Sequence, residues 1–218
     1  ATRGERRASS QNIRIYGGSV VIGAYKPTTI LRNARFYRPL HKNLAMVIYL
    51  DMDEVLADTY GAHIEIYNRE FGEKLTLDEC MGREVWQCVP EERQKSVRDH
   101  ARNEGFFIDL KPIEDSIRVV KELNSKHEVY IASAAMQFPN SLREKSDWLD
   151  TYFPFIPWQH RILLGHKHVL QGDVLVDDRS FNLQRFQGRP LLFTSPHNIH
   201  ENHFERVHNW EEMAKLFL

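Results

Sequence analysis

Short apolar runs alternate with amphipathic stretches from residue 45 to the C-terminus. The run at 46–50 is rich in β-forming side chains and predicts a buried strand, because strands covered on both faces show continuous apolar runs. Runs of the same kind predict four more strands, at 129–132, 162–164, 174–176 and 191–194. Amphipathic stretches predict helices from 112 to 123, from 141 onward with Ser141 and Glu144 as its cap, and from 209 onward. This alternation is typical of an α/β fold with a doubly wound parallel sheet.

The stretch 63–108 departs from this alternation because it contains helix signals and no strand signal. A helical pattern ends at Gly72, Thr76 and Glu79 have the spacing of a capping box, and Pro90 followed by two acidic residues opens a further helix. We therefore expect a helical insertion directly after the first strand.

Composition narrows the class of protein. The 218 residues include 29 Lys and Arg against 30 Asp and Glu, and 42% of them are hydrophobic, which is typical of a soluble globular protein. No run approaches the ~20 apolar residues that a membrane-spanning helix needs. Two cysteines, Cys80 and Cys88, are too few for a disulfide scaffold, so a reducing, cytoplasmic location is expected.

Charge is distributed unevenly along the chain. Residues 1–44 carry nine basic side chains and a single acid, Glu5, so a basic extension of charge +8 precedes a body of charge −9. The extension has the composition of an organelle transit peptide, of a nucleic-acid-binding tail or of an over-extended reading frame. Because the near-neutral total argues against a dedicated nucleic-acid-binding protein, no nucleic-acid partner is expected.

Two carboxylates follow the first predicted strand at once, at Asp51 and Asp53. In open α/β sheets the active crevice lies outside the carboxyl ends of the strands. There one carboxylate can act as a nucleophile while the other serves as general acid. The plainer interpretation is an exposed acidic turn, whereas a calcium loop is excluded because Val55 and Leu56 stand where it needs an acidic or amide residue and Gly.

Further polar residues end the other predicted strands. Asp177 and Asp178 end one strand and could hold a hard cation such as Mg²⁺ together with the first pair. Ser133 ends another strand, and Lys145 lies early in the next predicted helix, so both could bind a phosphate. Each residue alone is common in turns or on helix surfaces, but their joint occurrence at strand ends favours a functional site.

The order Asp-x-Asp, Ser, Lys, Asp-Asp resembles the four motifs of the haloacid dehalogenase superfamily of aspartate-nucleophile phosphatases. More narrowly, the chain from residue 45 to residue 218 resembles the 5′(3′)-deoxyribonucleotidases. The segments that carry this resemblance are Asp51-Met52-Asp53 with Val55-Leu56-Ala57-Asp58, Phe106-Phe107, Glu144-Lys145 with Trp148, Leu175-Val176-Asp177-Asp178-Arg179, Phe193-Thr194, and His197-Asn198 with His200.

The resemblance implies a role for each motif residue. Asp51 would form an aspartyl-phosphate, and Asp53 would protonate the leaving oxygen and then activate water. Mg²⁺ would be bound by the Asp51 carboxylate, the Asp53 main-chain carbonyl and Asp178. Ser133 and Lys145 would bind the phosphoryl group that is transferred.

The resemblance also implies where the substrate binds. Phe107 and Trp86 would line the nucleoside pocket, and Lys167 matches a family lysine that we assign to the substrate site. Residues 63–108 would be a cap that closes over a phosphatase core formed by 45–62 and 109–218. The expected function is Mg²⁺-dependent hydrolysis of (deoxy)ribonucleoside monophosphates by a cytoplasmic enzyme without a membrane partner, and a homodimer is left open.

Two alternatives stay open at this point. One is a phosphatase of the same superfamily that acts on another small phosphoester, and the other is a nucleic-acid-end binding or processing protein that uses the basic extension. Four departures from the family weaken a preference for pyrimidine deoxynucleotides: Glu54 replaces a Gly, Thr59 an aromatic residue, Ala134 a hydroxyl residue and Gln137 a Lys.

Histidines and an aromatic group offer further candidates. His197, His200 and His203 recur every three residues, but a run without a carboxylate shell is more typical of a surface loop than of a metal site. Trp148 and Phe153 belong to a near-helical apolar pattern that predicts a core position.

Overall fold

The computed structural model describes residues 45–218, and the basic extension 1–44 lies outside the described residues. The described part contains one sheet of six parallel strands in the order β3-β2-β1-β4-β5-β6. The strands are β1 (Val47–Leu50), β2 (Glu128–Ser133), β3 (Arg161–Leu163), β4 (Val174–Asp177), β5 (Arg189–Phe193) and β6 (Glu205–Val207). The predicted α/β fold with a doubly wound parallel sheet is confirmed. Strand β6 was not predicted, because three residues with one buried side chain give no apolar run.

Strand β1 lies at the point where the strand order reverses, since β2 pairs with one of its edges and β4 with the other. Such a reversal opens a crevice at the carboxyl ends of the strands. Asp51 directly follows β1, Ser133 ends β2 and Asp177 ends β4, so three strands bring polar residues to one edge of the sheet.

Six helices accompany the sheet in the described residues. They are α1 (Thr59–Phe71), α2 (Glu91–Asp99), α3 (Ser116–Lys126), α4 (Ser141–Tyr152), α5 (Ser180–Leu183) and α6 (Trp210–Phe217). Helix α1 ends as predicted at Gly72, which has a left-handed conformation with φ of 66°. Helix α3 begins four residues later than Pro112, because Pro112 and Ile113 are held against Ala57 and Leu56 by backbone pairing.

Both faces of the sheet are buried. Ile48 and Leu50 of β1 point into the larger core, whereas Tyr49 between them points into a second cluster on the opposite face. This alternation explains why the β1 sequence is apolar throughout. Trp148 and Phe153 lie in the larger core as predicted, both fully buried.

The segment between β1 and α3 has a hydrophobic cluster of its own. Its buried members come from α1, α2 and the turns between them: Tyr60, Ile64, Tyr67, Cys80, Val85, Val89 and Val97. The cluster agrees with the expected helical insertion, while the boundaries of a separate cap at 63 and 108 stay a prediction. None of the described helices is long and apolar enough to cross a membrane.

Helix α6 ties the C-terminus to the loop that follows β1. The indole Nε1 of Trp210 donates a hydrogen bond of 2.9 Å to the Val55 carbonyl, and both groups are buried. The loop itself is closed by the Leu56 and Ala57 amides, which both donate to the Met52 carbonyl. Since this loop carries the first acidic pair, its tight closure fixes where the two carboxylates lie.

Candidate active site

Asp51 is buried at the carboxyl end of β1. Its amide donates to the Val176 carbonyl of β4, which extends the sheet by one hydrogen bond. Its Oδ1 accepts from the Met52 amide at 2.7 Å and forms an ion pair with the Lys167 ammonium at 2.7 Å. The other carboxylate oxygen, Oδ2, accepts no hydrogen bond from the described residues.

Lys167 lies between two buried carboxylates. Its ammonium contacts both Asp51 and Asp177, and the side chain is completely buried. Burial disfavours the charged ammonium, but Asp177 and Asp51 outweigh it and hold the pKa of Lys167 above its usual value. Lys167, which we assigned to the substrate site, therefore lies beneath the carboxylates rather than on the wall of the cavity.

Lys145 joins the predicted general acid to the predicted phosphate site. Its Nζ donates to Asp53 Oδ2 at 2.5 Å and to Ser133 Oγ at 2.8 Å, and it lies 4.6 Å from the centre of the Phe107 ring. The side chain is 1% exposed, although Lys residues usually reach solvent. The structure thus brings together four of the residues that the sequence singled out.

Asp178 has one engaged and one bare carboxylate oxygen. Its Oδ2 accepts from His197 Nε2 at 2.7 Å and lies 3.2 Å from Arg179 Nε. Burial alone would raise the pKa of Asp178, but the hydrogen bond from His197 and the charge of Arg179 outweigh it and lower the pKa. Its Oδ1, like Oδ1 of Asp53, is buried without a hydrogen-bond partner among the described residues.

The interpretation of His197 as part of a surface loop was wrong. The imidazole is 5% exposed and holds the Asp178 carboxylate, whereas His200 and His203 of the same run are exposed as expected. The sequence gives no sign of this contact, because the two residues approach each other only when the loops after β4 and β5 meet.

The donor set at this edge fits a hard cation. Carboxylate oxygens of Asp51, Asp177 and Asp178 lie within 4.8 Å of one another. Asp177 is occupied by Lys167, by Asn182 and by a backbone amide, which leaves Oδ1 of Asp178 and Oδ2 of Asp51 without a hydrogen-bond partner among the described residues. Oxygen ligands of this kind are those that Mg²⁺ and Ca²⁺ prefer.

The electrostatics of Asp51 also call for an added cation. Burial raises the pKa of Asp51 well above its usual range, and the charges of Asp177, Asp178 and Asp53 add to this effect. Lys167 opposes the shift without cancelling it. Ionisation of Asp51 therefore costs free energy in the protein without a bound cation, and a divalent cation next to Asp51 would reduce that cost.

A cavity of about 560 Å³ connects these carboxylates to an aromatic wall. Asp51, Asp53 and Asp178 line one part of it, and Trp86 and Phe107 line another. The cavity is also lined by the aromatic residues Tyr60, Phe106, Phe138 and Phe181. All four residues that depart from the family pattern, Glu54, Thr59, Ala134 and Gln137, line the same cavity.

Phe107 is positioned by a carboxylate for which the sequence suggested another role. We predicted that Glu144 caps helix α4 together with Ser141, and this is wrong. Glu144 instead accepts hydrogen bonds from the amides of Gly105 and Phe107, both at 2.9 Å, while Ser141 Oγ donates to the Ala135 carbonyl. The contact fixes the loop that carries the aromatic wall to the helix that carries Lys145.

Glu54 occupies a backbone position that favours glycine. Its φ is 59°, in the left-handed region, which explains why the family has Gly there. The buried carboxylate accepts from Thr59 Oγ1, the Tyr60 amide and Ser195 Oγ at 2.6, 2.6 and 2.7 Å. These hydrogen bonds tie the loop after β1 to α1 and to the loop after β5, so the turn keeps its shape.

Comparisons with known proteins agree with this geometry. Residues 45–218 match the family model described as 5′ nucleotidase, deoxy (pyrimidine), cytosolic type C protein. The chain is 39% identical over 176 residues to the 5′(3′)-deoxyribonucleotidase of Bacillus subtilis strain 168, covering 79% of this chain and 98% of that protein. The same values hold for the protein of that name from Bacillus phage SPbeta.

Solved structures show the same fold. A haloacid dehalogenase-like family hydrolase from Streptococcus pneumoniae superposes with a TM-score of 0.50 at 13% identity, covering 80% of this chain and 99% of that one. This likeness concerns the fold, whereas the sequence matches confirm the predicted resemblance and the predicted enzyme class, a phosphoric monoester hydrolase.

Glu54 generates a pH-dependence prediction. Burial raises its pKa to about 7, so the folded state binds a proton that the unfolded state releases near pH 4.5. Stability from this group is therefore complete at low pH and is lost as the pH rises through 7. In metal-free buffer, the free energy of unfolding of the wild type should fall by about 2–3 kcal/mol relative to that of Glu54→Gln as the pH rises from 5 to 8.

Urea unfolding at several pH values measures this difference. Glu104→Gln is the matched control, because Glu104 is exposed and its replacement should leave a difference that does not change with pH. A pH-independent difference for Glu54→Gln would show that the Glu54 carboxylate titrates normally in the folded protein.

Proposed function

Because the chain belongs to the family of cytosolic type C 5′-deoxynucleotidases, we propose that it hydrolyses (deoxy)ribonucleoside monophosphates to a nucleoside and phosphate. The observation that carries the proposal is one cavity with carboxylates at one part and aromatic rings at another, where Lys145 donates a hydrogen bond to the cavity-lining Asp53. A phosphate needs the first environment, and a nucleobase needs flat apolar surfaces such as those of Trp86 and Phe107.

Asp51 is the proposed nucleophile. Its Oδ1 is held by the Met52 amide and by Lys167, which leaves Oδ2 for attack on phosphorus. A bond forms between that oxygen and phosphorus while the bond from phosphorus to the nucleoside oxygen breaks, and an aspartyl-phosphate results. Lys167 holds the carboxylate in one orientation, so the attack needs little reorganisation.

Asp53 is the proposed general acid and base. It gives a proton to the nucleoside oxygen as that oxygen leaves, and it later takes a proton from the water that attacks the aspartyl-phosphate. The second step releases phosphate and restores Asp51. The hydrogen bond from Lys145 to Asp53 Oδ2 leaves Oδ1 for the proton, and this is the oxygen without a partner among the described residues.

Ser133 and Lys145 are the proposed phosphoryl-binding pair. Both are fully buried at the end of β2, and the hydroxyl and ammonium lie 2.8 Å apart. A phosphate dianion repels the carboxylates around it, so a fixed cation and a hydrogen-bond donor are needed to bring it close to Asp51. Burial strengthens both interactions because little water screens them.

Mg²⁺ is the proposed cofactor. The Asp51 carboxylate, the Asp53 main-chain carbonyl and Asp178 would hold it, and the bare Oδ1 of Asp178 supports this assignment. When bound, the ion neutralises charge on the phosphate and on the carboxylates. His197 and Arg179 keep Asp178 ionised and oriented for such a role.

The substrate range is proposed to be broad with respect to the base. Thr59 and Gln137 both line the cavity where relatives in the family place an aromatic residue and a lysine. Losing an aromatic wall and a cation weakens any preference for pyrimidine deoxynucleotides. We propose that the cytoplasm is the site of action, and a homodimer stays a prediction.

Residues 63–108 are proposed to act as a cap over the cavity. Several contacts join this segment to the loops of the core, and among them Glu84 pairs with Arg179 and the Gly82 amide donates to the Pro196 carbonyl at 2.8 Å. Arg179 is the neighbour of Asp178, so closure of the segment and order in the proposed metal site are physically connected.

Replacing the proposed nucleophile tests the function. Asp51→Asn should reduce phosphate release from nucleoside monophosphates by at least about 10³-fold in the presence of Mg²⁺, because an amide does not attack phosphorus. Asp109→Asn, a change at an exposed aspartate, is the control and should match the wild type. A wild-type enzyme that prefers other small phosphoesters over every nucleotide in the panel would contradict the proposed substrate.

The two adjacent aspartates should differ in their effect on the metal. Asp178→Asn should weaken Mg²⁺ binding by about 100-fold or more, because it removes charge from the oxygen that has no other partner. Asp177→Asn should weaken it by only about 10-fold and should instead lower stability, since Asp177 neutralises the buried Lys167. Calorimetric titration with Mg²⁺ and urea unfolding measure the two effects, and the reverse ranking would move the ligand role to Asp177.

Asp53→Asn tests the proton transfer. Turnover of nucleotides should fall by about 10²–10⁴-fold, because the amide neither gives nor takes the proton, while the main-chain carbonyl and Mg²⁺ affinity are kept. The loss should be smaller for p-nitrophenyl phosphate, whose leaving group needs no proton. A burst of p-nitrophenol before slow turnover is expected, and absence of both burst and turnover with Mg²⁺ still bound would exclude the proposed role.

A further inference from the structure

A hydrogen-bonded row of three titratable side chains extends from the cavity wall to the protein surface. His63 Nδ1 lies 3.1 Å from His100 Nδ1, and His100 Nε2 lies 3.2 Å from Glu70 Oε2. His63 and Glu70 belong to α1, and His100 lies in the 3₁₀ turn that follows α2. The roles described above use none of these residues.

The row is buried at its centre, and its two ends face the cavity and the protein surface. His100 is 1% exposed, whereas Glu70 reaches the surface and also accepts from Ser96 Oγ at 3.1 Å. His63 lines the cavity beside the aromatic wall, with its ring 4.8 Å from that of Phe106 and 5.3 Å from that of His100. His63 Nε2 makes no hydrogen bond with the described residues.

When both imidazoles are neutral, hydrogen-bond polarity along this row fixes each proton. The Glu70 carboxylate only accepts, so His100 Nε2 carries hydrogen and donates to it. A neutral His100 then has a bare Nδ1, which requires that His63 Nδ1 carries hydrogen and donates. A neutral His63 is left with a bare Nε2, which is a hydrogen-bond acceptor.

The neutral state of His63 has independent support. Burial is the main cause that lowers the pKa of His63 to about 3, so this imidazole is neutral at pH 7. Arg98 and Arg102 line the same cavity and lie over the rings of Trp86 and Phe138.

We propose that His63 Nε2 accepts a hydrogen bond from the nucleoside part of the substrate, and that Glu70 and His100 hold His63 in the tautomer that makes this contact. The donor is an N–H group of the base or a hydroxyl of the sugar. This inference rests on the proposed function and deepens it: His63 contacts the substrate, and Glu70 and His100 are positioning residues. Binding sites that match a substrate donor with a fixed acceptor discriminate against analogues that lack the donor.

Steady-state kinetics of variants test the contact. The measured quantity is kcat/KM for thymidine 5′-monophosphate relative to kcat/KM for p-nitrophenyl phosphate, which has no nucleoside. His63→Phe keeps an aromatic ring and should lower this ratio about 10- to 100-fold, because a substrate donor is left unpaired in the cavity. His63→Gln offers an amide oxygen and should recover part of the loss, and exposed His203→Phe is the control.

Two analogues identify the donor. N3-methylthymidine 5′-monophosphate lacks the base N–H, and 3′-deoxythymidine 5′-monophosphate lacks the sugar hydroxyl. The effect of His63→Phe should disappear for the analogue that lacks the relevant donor, and either result supports the inference. An unchanged ratio, or an equal loss for thymidine 5′-monophosphate and both analogues, overturns it.

A spectroscopic measurement keeps the inference falsifiable if the variants do not fold. The ¹⁵N resonances of His63 in the wild-type protein should show hydrogen on Nδ1 and a bare Nε2, and Glu70→Leu should mix the two tautomers. A single tautomer with hydrogen on Nε2 overturns the inference. Wild-type turnover of p-nitrophenyl phosphate without turnover of any nucleotide would refute the proposed function itself, whereas nucleotide turnover with an unchanged ratio refutes only the role of His63.

Discussion

Repulsion among buried carboxylates at the carboxyl edge of the sheet is the constraint on which the rest of the site depends. Asp51, Asp177 and Asp178 are each almost completely buried there. Two like charges 4 Å apart repel by about 4 kcal/mol at an effective dielectric constant of 20, and a whole domain is stable by only about 5–15 kcal/mol. Lys167 beneath the carboxylates and Lys145 beside them offset part of this repulsion. The remaining deficit of positive charge favours binding of a metal ion, and the burial of the carboxylates excludes the exposed acidic turn that the sequence left open.

The two lysines have different consequences because of where each chain segment places them. Lys167 comes from the turn before β4 and contacts Asp51 from inside the protein, so it orients the proposed nucleophile without lining the cavity. Lys145 comes from α4 and contacts Ser133, the Phe107 ring and Asp53, and the last two of these line the cavity. Order along the sequence does not distinguish these roles, since both lysines precede the final acidic pair. The side-chain partners of each lysine distinguish them.

The sheet and the strand-end residues could be predicted from the sequence because both depend on local patterns. Apolar runs mark buried strands, and a polar residue that ends such a run lies at the carboxyl edge wherever the strands are parallel. Contacts between distant segments leave no such pattern. Glu144 has a capping-box spacing but binds the loop of Phe107, and His197 reaches Asp178 from another loop. The late start of α3 has the same cause, since pairing of Pro112 with Ala57 overrides a favourable helix start.

The helical segment after β1 connects the chemistry to the choice of substrate. Its first helix, α1, begins beside Glu54, whose carboxylate holds the Tyr60 amide and Ser195 Oγ, and the same helix carries His63 into the cavity. A shift of α1 would therefore move His63 and the loop of Asp53 together. A Gly at position 54 would supply the left-handed turn without strain but would supply none of these hydrogen bonds. The Glu54 side chain thus connects the loop of Asp53 rigidly to the wall that is proposed to face the nucleoside. This connection requires burial of a carboxylate, which costs free energy.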